Sequence, residues 1–157
     1  MEAATSQTDT MTRSRPRTRT DAGGLALSIL VDTSALYALL DADDANHARA
    51  AAFVPELPTR DPFVHNYVTV EATALAARRL GHRAVRALHE DFLPALGRVW
   101  IDERLHDAAV AAVLAAPRSA ISFVDRASFE VMRDLGATDV FAFDPDFARA
   151  GFTTYPR

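Results

Sequence analysis

The chain has 157 residues and a mass of 17.1 kDa, a length typical of a single domain that buries a core without disulfides or metal staples. It contains no Cys and no Lys, which excludes a disulfide framework, a thiolate nucleophile, a Cys-ligated metal and a Schiff-base or P-loop lysine. The formal net charge is −4, so the broad basic field typical of nucleic-acid binders is absent, and no apolar run approaches the about 20 residues that span a bilayer.

Residues 1–24 differ in composition from the rest of the chain. They are rich in Thr, Ser and Arg and carry a net charge of +1, whereas the remainder carries −5. Such a segment buries too little apolar surface to fold, and it lacks the apolar stretch of a secretory signal. We therefore predict a disordered tail over 1–24, or an over-long start with Met11 or a later codon as the true beginning, in preference to an RNA-contacting arm. The folded domain is predicted over 25–157.

After residue 24, short apolar runs alternate with helix-forming segments. We predict strands over 27–31, 62–65, 99–101, 140–143 and, at the sheet edge, 152–155. Helices are predicted over 35–40, 46–53, 67–80, 83–93, 102–116, 124–135 and 146–150. Pro55 and Pro58 should end the second helix, and Gly81 and Gly136 should end two others. Strands that alternate with helices indicate an α/β fold with a small, mainly parallel central sheet flanked by helices.

Acidic residues stand where these strands end or where helices begin. Asp32, Asp102 and Asp144 follow predicted strands, while Glu71 and Asp125 lie in apolar helical surroundings. Function gathers at the carboxyl ends of parallel strands, and a buried carboxylate needs a proton, a partner or a cation. Mg²⁺ and Mn²⁺ prefer oxygen ligands. Each acid alone is also explained by helix capping, by a turn or by solvent exposure, so only their combination points to a metal site.

Four segments stand in a recognisable order along the chain. They are ILVDTSAL over 29–36, NYVTVE over 66–71, SFVDRASF over 122–129 and FAFDPDF over 141–147. Together they resemble the opening strand, the glutamate-bearing helix, the third acidic segment and the terminal Asp–x–x–Phe signature of the PIN-domain family. Each match is weak alone, but four in order cover nearly all of the predicted domain. The resemblance is strongest to VapC-type toxins of bacterial toxin–antitoxin pairs.

The resemblance implies a PIN-like three-layer fold and an endoribonuclease that cleaves RNA with Mg²⁺ or Mn²⁺. By motif match, metal binding and catalysis would fall to four acids: Asp32, Glu71, Asp125 and Asp144. A hydroxyl from Thr33 or Ser34, and the Asn66 amide, would lie beside them. The resemblance also implies a cytoplasmic homodimer with no membrane contact, inhibited by a small antitoxin protein that places an Arg in the acidic pocket.

Two positions depart from the family pattern. Arg126 follows the third acid, where a small residue is expected, and can either pair with Asp125 or point outward. Asp146 stands where a basic residue or His is frequent, and is interpreted as a helix N-cap or as an additional metal ligand. A catalytically inactive PIN-fold module that only binds a partner therefore stays open as an alternative. A phosphatase with Asp32 as nucleophile is disfavoured, because position 34 is Ser instead of a second Asp and the chain has no Lys.

Two further groups have competing interpretations. The densest basic cluster is either a solvated helix face or a phosphate-contacting rim; its members are Arg78, Arg79, His82, Arg83 and Arg86. Five aromatic residues are predicted to belong to the core in preference to stacking on nucleobases; they are Trp100, Phe123, Phe129, Phe141 and Phe143.

Overall fold

The computed structural model describes residues 28–116 and 120–157. The predicted tail over 1–24 lies outside the described residues, as do positions 25–27 and 117–119. Within the described ranges, none of the helices combines the length and the apolar character needed to cross a membrane.

Five short strands of the described chain form one sheet in the order β3-β2-β1-β4-β5, and every neighbouring pair is parallel. The strands are β1 (Ile29–Val31), β2 (Pro62–His65), β3 (Gly97–Val99), β4 (Asp139–Phe141) and β5 (Thr153–Tyr155). Leu30 at the centre lies beside Phe63 of β2 and Val140 of β4. The α/β prediction is confirmed, and the predicted edge strand is parallel as well. All five carboxyl ends therefore meet at one edge of the sheet.

Helices connect the strands and cover both faces of the sheet. They are α1 (Thr33–Leu40), α2 (His47–Phe53), α3 (Asn66–Arg79), α4 (His82–Ala87), α5 (Glu103–Leu114), α6 (Phe123–Leu135) and α7 (Pro145–Arg149). A 3₁₀ segment, Val54–Arg60, follows α2. A π-helical turn, Leu88–Phe92, and a 3₁₀ turn, Leu93–Ala95, follow α4.

Side-chain alternation along β1 divides the core into two layers. Ile29 and Val31 face a cluster that includes residues of α1, α2 and the turns after α4. Leu30 faces the other cluster, which includes residues of α5, α6 and α7. All three β1 side chains are almost completely buried. A sheet covered by helices on both sides is the three-layer architecture expected from the sequence.

The structure differs from the predicted elements at three places. The α-helix predicted over 46–53 ends at Phe53 as expected, but the chain then continues in 3₁₀ form over Val54–Arg60, with Pro55 in its first turn, where the missing N–H is tolerated, and Pro58 inside it. The helix predicted over 83–93 is broken into α4 and two irregular turns. The strand predicted over 99–101 is wrong by two residues, since β3 is Gly97–Val99 and pairs with Phe63–His65.

A buried histidine ties the end of β2 to the opposite helix layer. His65 is the N-cap of α3, and its Nδ1 accepts a hydrogen bond from the Val68 N–H at 3.3 Å. Its Nε2 lies 2.8 Å from Ser128 Oγ of α6, and that hydroxyl donates to Val124 O. An imidazole protonated only at Nε2 satisfies all of these bonds. Burial lowers the pKa of His65 to about 3, so the ring stays neutral in the folded protein.

This pKa predicts a stability that falls with acidification. Between the ordinary His pKa of 6.5 and the folded-state pKa of about 3, His65 is protonated in the unfolded chain but not in the folded one. The folded state therefore loses stability as the pH falls through this window. His65→Asn retains a capping acceptor without the titration. From pH 7 to pH 5, the free energy of unfolding of the wild type should fall by about 2 kcal/mol more than that of the variant. Urea unfolding of both proteins across that range measures the difference, and parallel pH profiles would contradict it.

Candidate metal centre

Asp32 occupies the junction at which β1 ends and α1 begins. It adopts an extended conformation as the N-cap of α1, and its Oδ2 accepts hydrogen bonds from the Ser34 N–H at 2.9 Å and from Ser34 Oγ at 2.5 Å. Its own N–H donates to Phe141 O of β4 at 3.0 Å. The residue is only 3% exposed. The predicted N-cap role is thus confirmed, but capping uses only one of the two carboxylate oxygens.

The second oxygen, Asp32 Oδ1, is buried and has no hydrogen-bond partner among the described residues. A buried carboxylate oxygen without a donor costs on the order of 1–3 kcal/mol or more. Desolvation accordingly raises the pKa of Asp32 to about 6, with the charge of Asp125 adding to the increase and the Ser34 hydrogen bonds opposing it. An oxygen in this state fits a cation, because a metal ion supplies the missing partner and removes the charge penalty.

Glu71 and Asp144 reach the same edge from neighbouring elements. Glu71 lies on α3, which starts directly after β2, and its Oε2 accepts from Thr33 Oγ1 of α1 at 2.6 Å. Asp144 is the N-cap of α7, where its Oδ1 accepts from the Asp146 N–H at 2.8 Å. Ser34 Oγ also accepts from the Phe143 N–H at 3.0 Å. The two hydroxyls that the resemblance placed here therefore join α1 to the segments that carry Glu71 and Asp144.

Asp125 approaches from the first turn of α6 as part of a capping box. Its N–H donates to Ser122 Oγ, while its Oδ2 accepts from Ser122 Oγ at 2.7 Å and from the Ser122 N–H at 3.2 Å. Desolvation is the chief cause that raises the pKa of Asp125, and the charges of Asp144 and Glu71 raise it further. The negative field of this site therefore extends across elements that are far apart in sequence.

The four predicted acids form one electrostatic group, since Asp125 interacts with each of the other three. They are not yet a closed ligand set: in residues 28–116 and 120–157, no three His, Asp or Glu side chains converge tightly enough to hold one ion. Like charges about 4 Å apart repel by roughly 4 kcal/mol at an effective dielectric near 20. Because of this repulsion, we expect that without a cation each carboxylate is held by hydrogen bonds from its own hydroxyl and backbone donors.

The two departures from the family pattern have different outcomes. Asp146 does not cap α7; the cap is Asp144, because Pro145 at the first helical position favours the residue before it as N-cap. Asp146 Oδ1 instead accepts from Arg149 at 2.7 Å. Arg126 is partly buried, and the hydrogen bonds described for the Asp125 carboxylate come from Ser122.

Asp102 does not belong to the acidic group. Two residues separate it from the end of β3, and it is an exposed N-cap of α5 that accepts from the Leu105 N–H at 2.9 Å. The basic cluster lies at the end of α3 and along α4, with all four Arg side chains and His82 exposed. Arg86 pairs with Glu90 at 3.0 Å. Both interpretations of this cluster stay compatible with its position.

Two features near the site were missed or misplaced by sequence reasoning. Trp100, predicted to be core, is 63% exposed. Asn66 Oδ1 accepts from the Ile101 N–H at 2.9 Å, so the amide fastens the chain beyond β3 to the start of α3. The misplaced strand explains the error, because a Trp inside 99–101 would pack on the sheet, whereas a Trp beyond Val99 leaves it.

Comparisons with known proteins agree with this fold. A PIN-domain family model matches residues 29–153, and the chain belongs to the PIN-domain family. Two curated relatives, both named 23S rRNA-specific endonuclease VapC20 and from Mycobacterium tuberculosis strains CDC 1551 / Oshkosh and ATCC 25618 / H37Rv, are each 39% identical over 127 residues. That alignment spans 79% of this chain and 95% of each relative.

Solved structures give the same result. The crystal structure of M. tuberculosis VapC20, described as a Sarcin-Ricin loop cleaving toxin, superposes with a TM-score of 0.74 at 34% identity and covers 80% of this chain and 96% of that one. The resemblance to VapC-type toxins is therefore confirmed. FitAcB from Neisseria gonorrhoeae has a TM-score of 0.61 at 17% identity, with 82% and 96% coverage, and supports the fold alone.

The raised pKa of Asp32 predicts that this residue destabilises the protein near neutral pH. The folded carboxyl keeps its proton up to about pH 6, whereas the unfolded one loses it near 3.8, so stability falls as the pH rises through this window. Asp32→Asn should therefore raise the free energy of unfolding by roughly 1–3 kcal/mol at pH 7.5 in metal-free buffer, and the gain should shrink steadily from pH 6 to pH 4. Urea unfolding measures both quantities.

The matched control is Asp102→Asn, which changes an exposed N-cap of the same kind. Asn caps nearly as well as Asp, so this variant should change stability little at either pH. Destabilisation by Asp32→Asn at pH 7.5 would show that the buried charge is compensated by the protein itself.

Proposed function

We propose that the protein is a metal-dependent endoribonuclease that hydrolyses RNA phosphodiester bonds as the toxin of a toxin–antitoxin pair. The observation that carries this proposal is the buried Asp32 oxygen, which has no hydrogen-bond partner in the described part of the chain and lies in a group of four carboxylates. The relative VapC20, which is named as an rRNA endonuclease, covers 79% of the chain and supports the same activity.

The proposed ligands of Mg²⁺ or Mn²⁺ are Asp32, Glu71, Asp125 and Asp144. A bound divalent ion would lower the pKa of a water nucleophile and offset charge on the phosphoryl oxygens. Ser34 holds Asp32 through Oδ2, and Oδ1 has no donor among the described residues. Thr33 orients Glu71, and Ser122 orients Asp125. No thiol or amine nucleophile is required, which agrees with a chain that has neither Cys nor Lys.

The substrate class and the partners follow from the relatives as proposals. VapC20 is named for 23S rRNA and for cleaving the Sarcin-Ricin loop, so ribosomal RNA is the first substrate to test here. A small antitoxin that neutralises the acidic pocket, and a homodimeric state, are proposed on the VapC resemblance. An inactive partner-binding module is disfavoured, because a module without metal would gain nothing from keeping Asp32 buried at an energetic cost.

Asp32→Asn is expected to reduce RNA cleavage about 100-fold or more, since it removes a ligand charge from the proposed centre. The assay is single-turnover cleavage of purified ribosomal RNA with Mg²⁺ or Mn²⁺, followed on a denaturing gel. Asp102→Asn is the matched control and should cleave like the wild type. Equal cleavage by the wild type and Asp32→Asn would contradict the assignment of the site.

Thr33→Val tests the hydroxyl that orients Glu71. The substitution keeps the shape of the side chain but removes the 2.6 Å hydrogen bond, so Mn²⁺ affinity should fall roughly 10-fold while the fold is retained. Calorimetric titration of Mn²⁺ into the apo protein measures the effect. Exposed Thr59, whose hydroxyl bonds only within its own 3₁₀ segment, provides the control Thr59→Val, for which unchanged affinity is expected.

A further inference from the structure

A cleft lies beside the candidate metal centre, at the carboxyl ends of β2 and β3. Its volume is about 180 Å³, below the roughly 300 Å³ at which pockets for drug-sized ligands begin, a size that suits one planar ring system. The lining includes the start of α3, the turn after α4 and the chain that leaves β3; the members used here are Asn66, Val70, His89, Arg98 and Trp100.

Trp100 and Val70 give the cleft an exposed apolar wall. Trp100 is 63% exposed and Val70 is 68% exposed, although both side chains would gain free energy from burial. The hydrogen bond from the Ile101 N–H to Asn66 Oδ1 fixes the backbone next to Trp100. The indole is therefore exposed to solvent, while a hydrogen bond holds the backbone beside it in place.

The charge of the cleft is opposite to that of the metal centre. None of the described residues that line it is acidic. Arg98 lies in it on the exposed edge strand β3, and within the described chain it has no carboxylate within 4.0 Å, whereas Arg104 and Arg133 are both paired. His89 also lines the cleft, and its Nε2 lies 2.8 Å from Thr73 Oγ1. An aromatic face beside an unpaired guanidinium is the combination that binds single-stranded nucleic acid.

The cleft is also within one or two nucleotides' reach of the acids. The sheet order runs β3, β2, β1, and neighbouring strands are about 4.8 Å apart, so the chain beyond β3 lies on the order of 10 Å from Asp32 at the end of β1. Glu71 is the next residue after Val70 on α3. An RNA strand whose phosphate sits at the acids would therefore carry a neighbouring base to Trp100.

We propose that this cleft binds an unpaired nucleobase of the RNA substrate, stacked on Trp100, with Arg98 at the adjoining phosphate. The proposal rests on the proposed ribonuclease function and adds the way in which the substrate is held. An unpaired base is required because a base inside a duplex has no free face to offer the indole. Trp100 is here a binding residue that positions the strand and takes no part in bond breaking.

Trp100 is the only Trp of the chain, so its fluorescence reports on this cleft alone. The first experiment titrates Asp32→Asn protein, in Mg²⁺, with a six-residue oligouridylate and with an abasic hexamer of the same sugar-phosphate backbone. Stacking predicts saturable quenching by the oligouridylate and little by the abasic hexamer. Equal quenching by both, or no quenching while fluorescence anisotropy shows that labelled oligouridylate binds, would overturn the proposal.

The second experiment compares variants in RNA cleavage. Trp100→Ala should raise KM roughly 10-fold with kcat nearly unchanged, because stacking holds substrate and transition state alike. Trp100→Phe keeps an aromatic face and should restore most of the loss. Leu114→Ala, which removes another exposed apolar side chain at the far end of α5, should behave as the wild type. A loss confined to kcat, or no rescue by Phe, would overturn the proposed role.

The third experiment tests Arg98 as the phosphate contact. Arg98→Ala should weaken binding of the oligouridylate and of the abasic hexamer by the same factor, and lower the salt slope of log K by about 0.7, the value for one phosphate contact on a single strand. Exposed and paired Arg133 provides the control Arg133→Ala, which should leave both quantities unchanged. An unchanged salt slope in Arg98→Ala would overturn this contact.

Two other results separate this proposal from its alternatives. If the wild type cleaves RNA and Trp100→Ala has an unchanged KM, the ribonuclease function is supported and the base-binding site is contradicted. If the wild type cleaves no RNA under any metal condition, the proposed function itself is contradicted. A Trp emission maximum that shifts with protein concentration in the absence of RNA, together with dimer loss in Trp100→Ala, would assign the surface to a second copy of the chain and overturn the base site.

Discussion

The structure depends on one unfavourable interaction, the burial of the Asp32 carboxylate where the central strand meets the first helix. Ser34 supplies donors to one oxygen, and the other oxygen has none among the described residues. The neighbouring Asp125 charge makes the ionised form still less favourable. A fold can keep such a group only if its other interactions offset the cost, and the tightly packed β1 side chains on both sides of the sheet do so.

The parallel sheet is what turns four distant acids into one group. Strand order β2-β1-β4 places the ends of three strands side by side, and the segments that leave those ends carry Asp32, Glu71 and Asp144. Asp125 comes from the opposite helix layer, where a capping box orients it. Short side-chain bonds from Thr33 and Ser34 then connect α1 to α3 and to the segment that follows β4. Residues at the starts of helices, such as Thr33, Ser34 and Ser122, thus also hold the acids in place.

The charge distribution explains how a protein with a net negative charge can bind RNA, which is also negatively charged. Four of the 21 acidic residues form the candidate site at the carboxyl edge of the sheet, where divalent cations would neutralise their charge on the proposed function. Beside it, the cleft at β3 contains Arg98 and Trp100 and no acidic lining residue. Repulsion and attraction are therefore separated by about two strand spacings, so a strand of RNA need not cross a uniformly negative surface.

The alternation of strands and helices, the capping roles of Asp32 and Asp102, and the family could all be predicted from the amino-acid order, because these depend on local spacing and on motifs that follow one another along the chain. That order also identified the four acids as candidates. Three-dimensional contacts were needed to learn which oxygen of Asp32 lacks a donor among the described residues, that Ser122 and Thr33 hold Asp125 and Glu71, and that Asp144, not Asp146, caps α7. The structure also corrected Trp100 from core to surface, because β3 ends at Val99 and Trp100 lies in the segment that leaves the sheet. Local patterns fix neighbours along the chain, whereas burial and charge coupling arise between segments that only folding brings together.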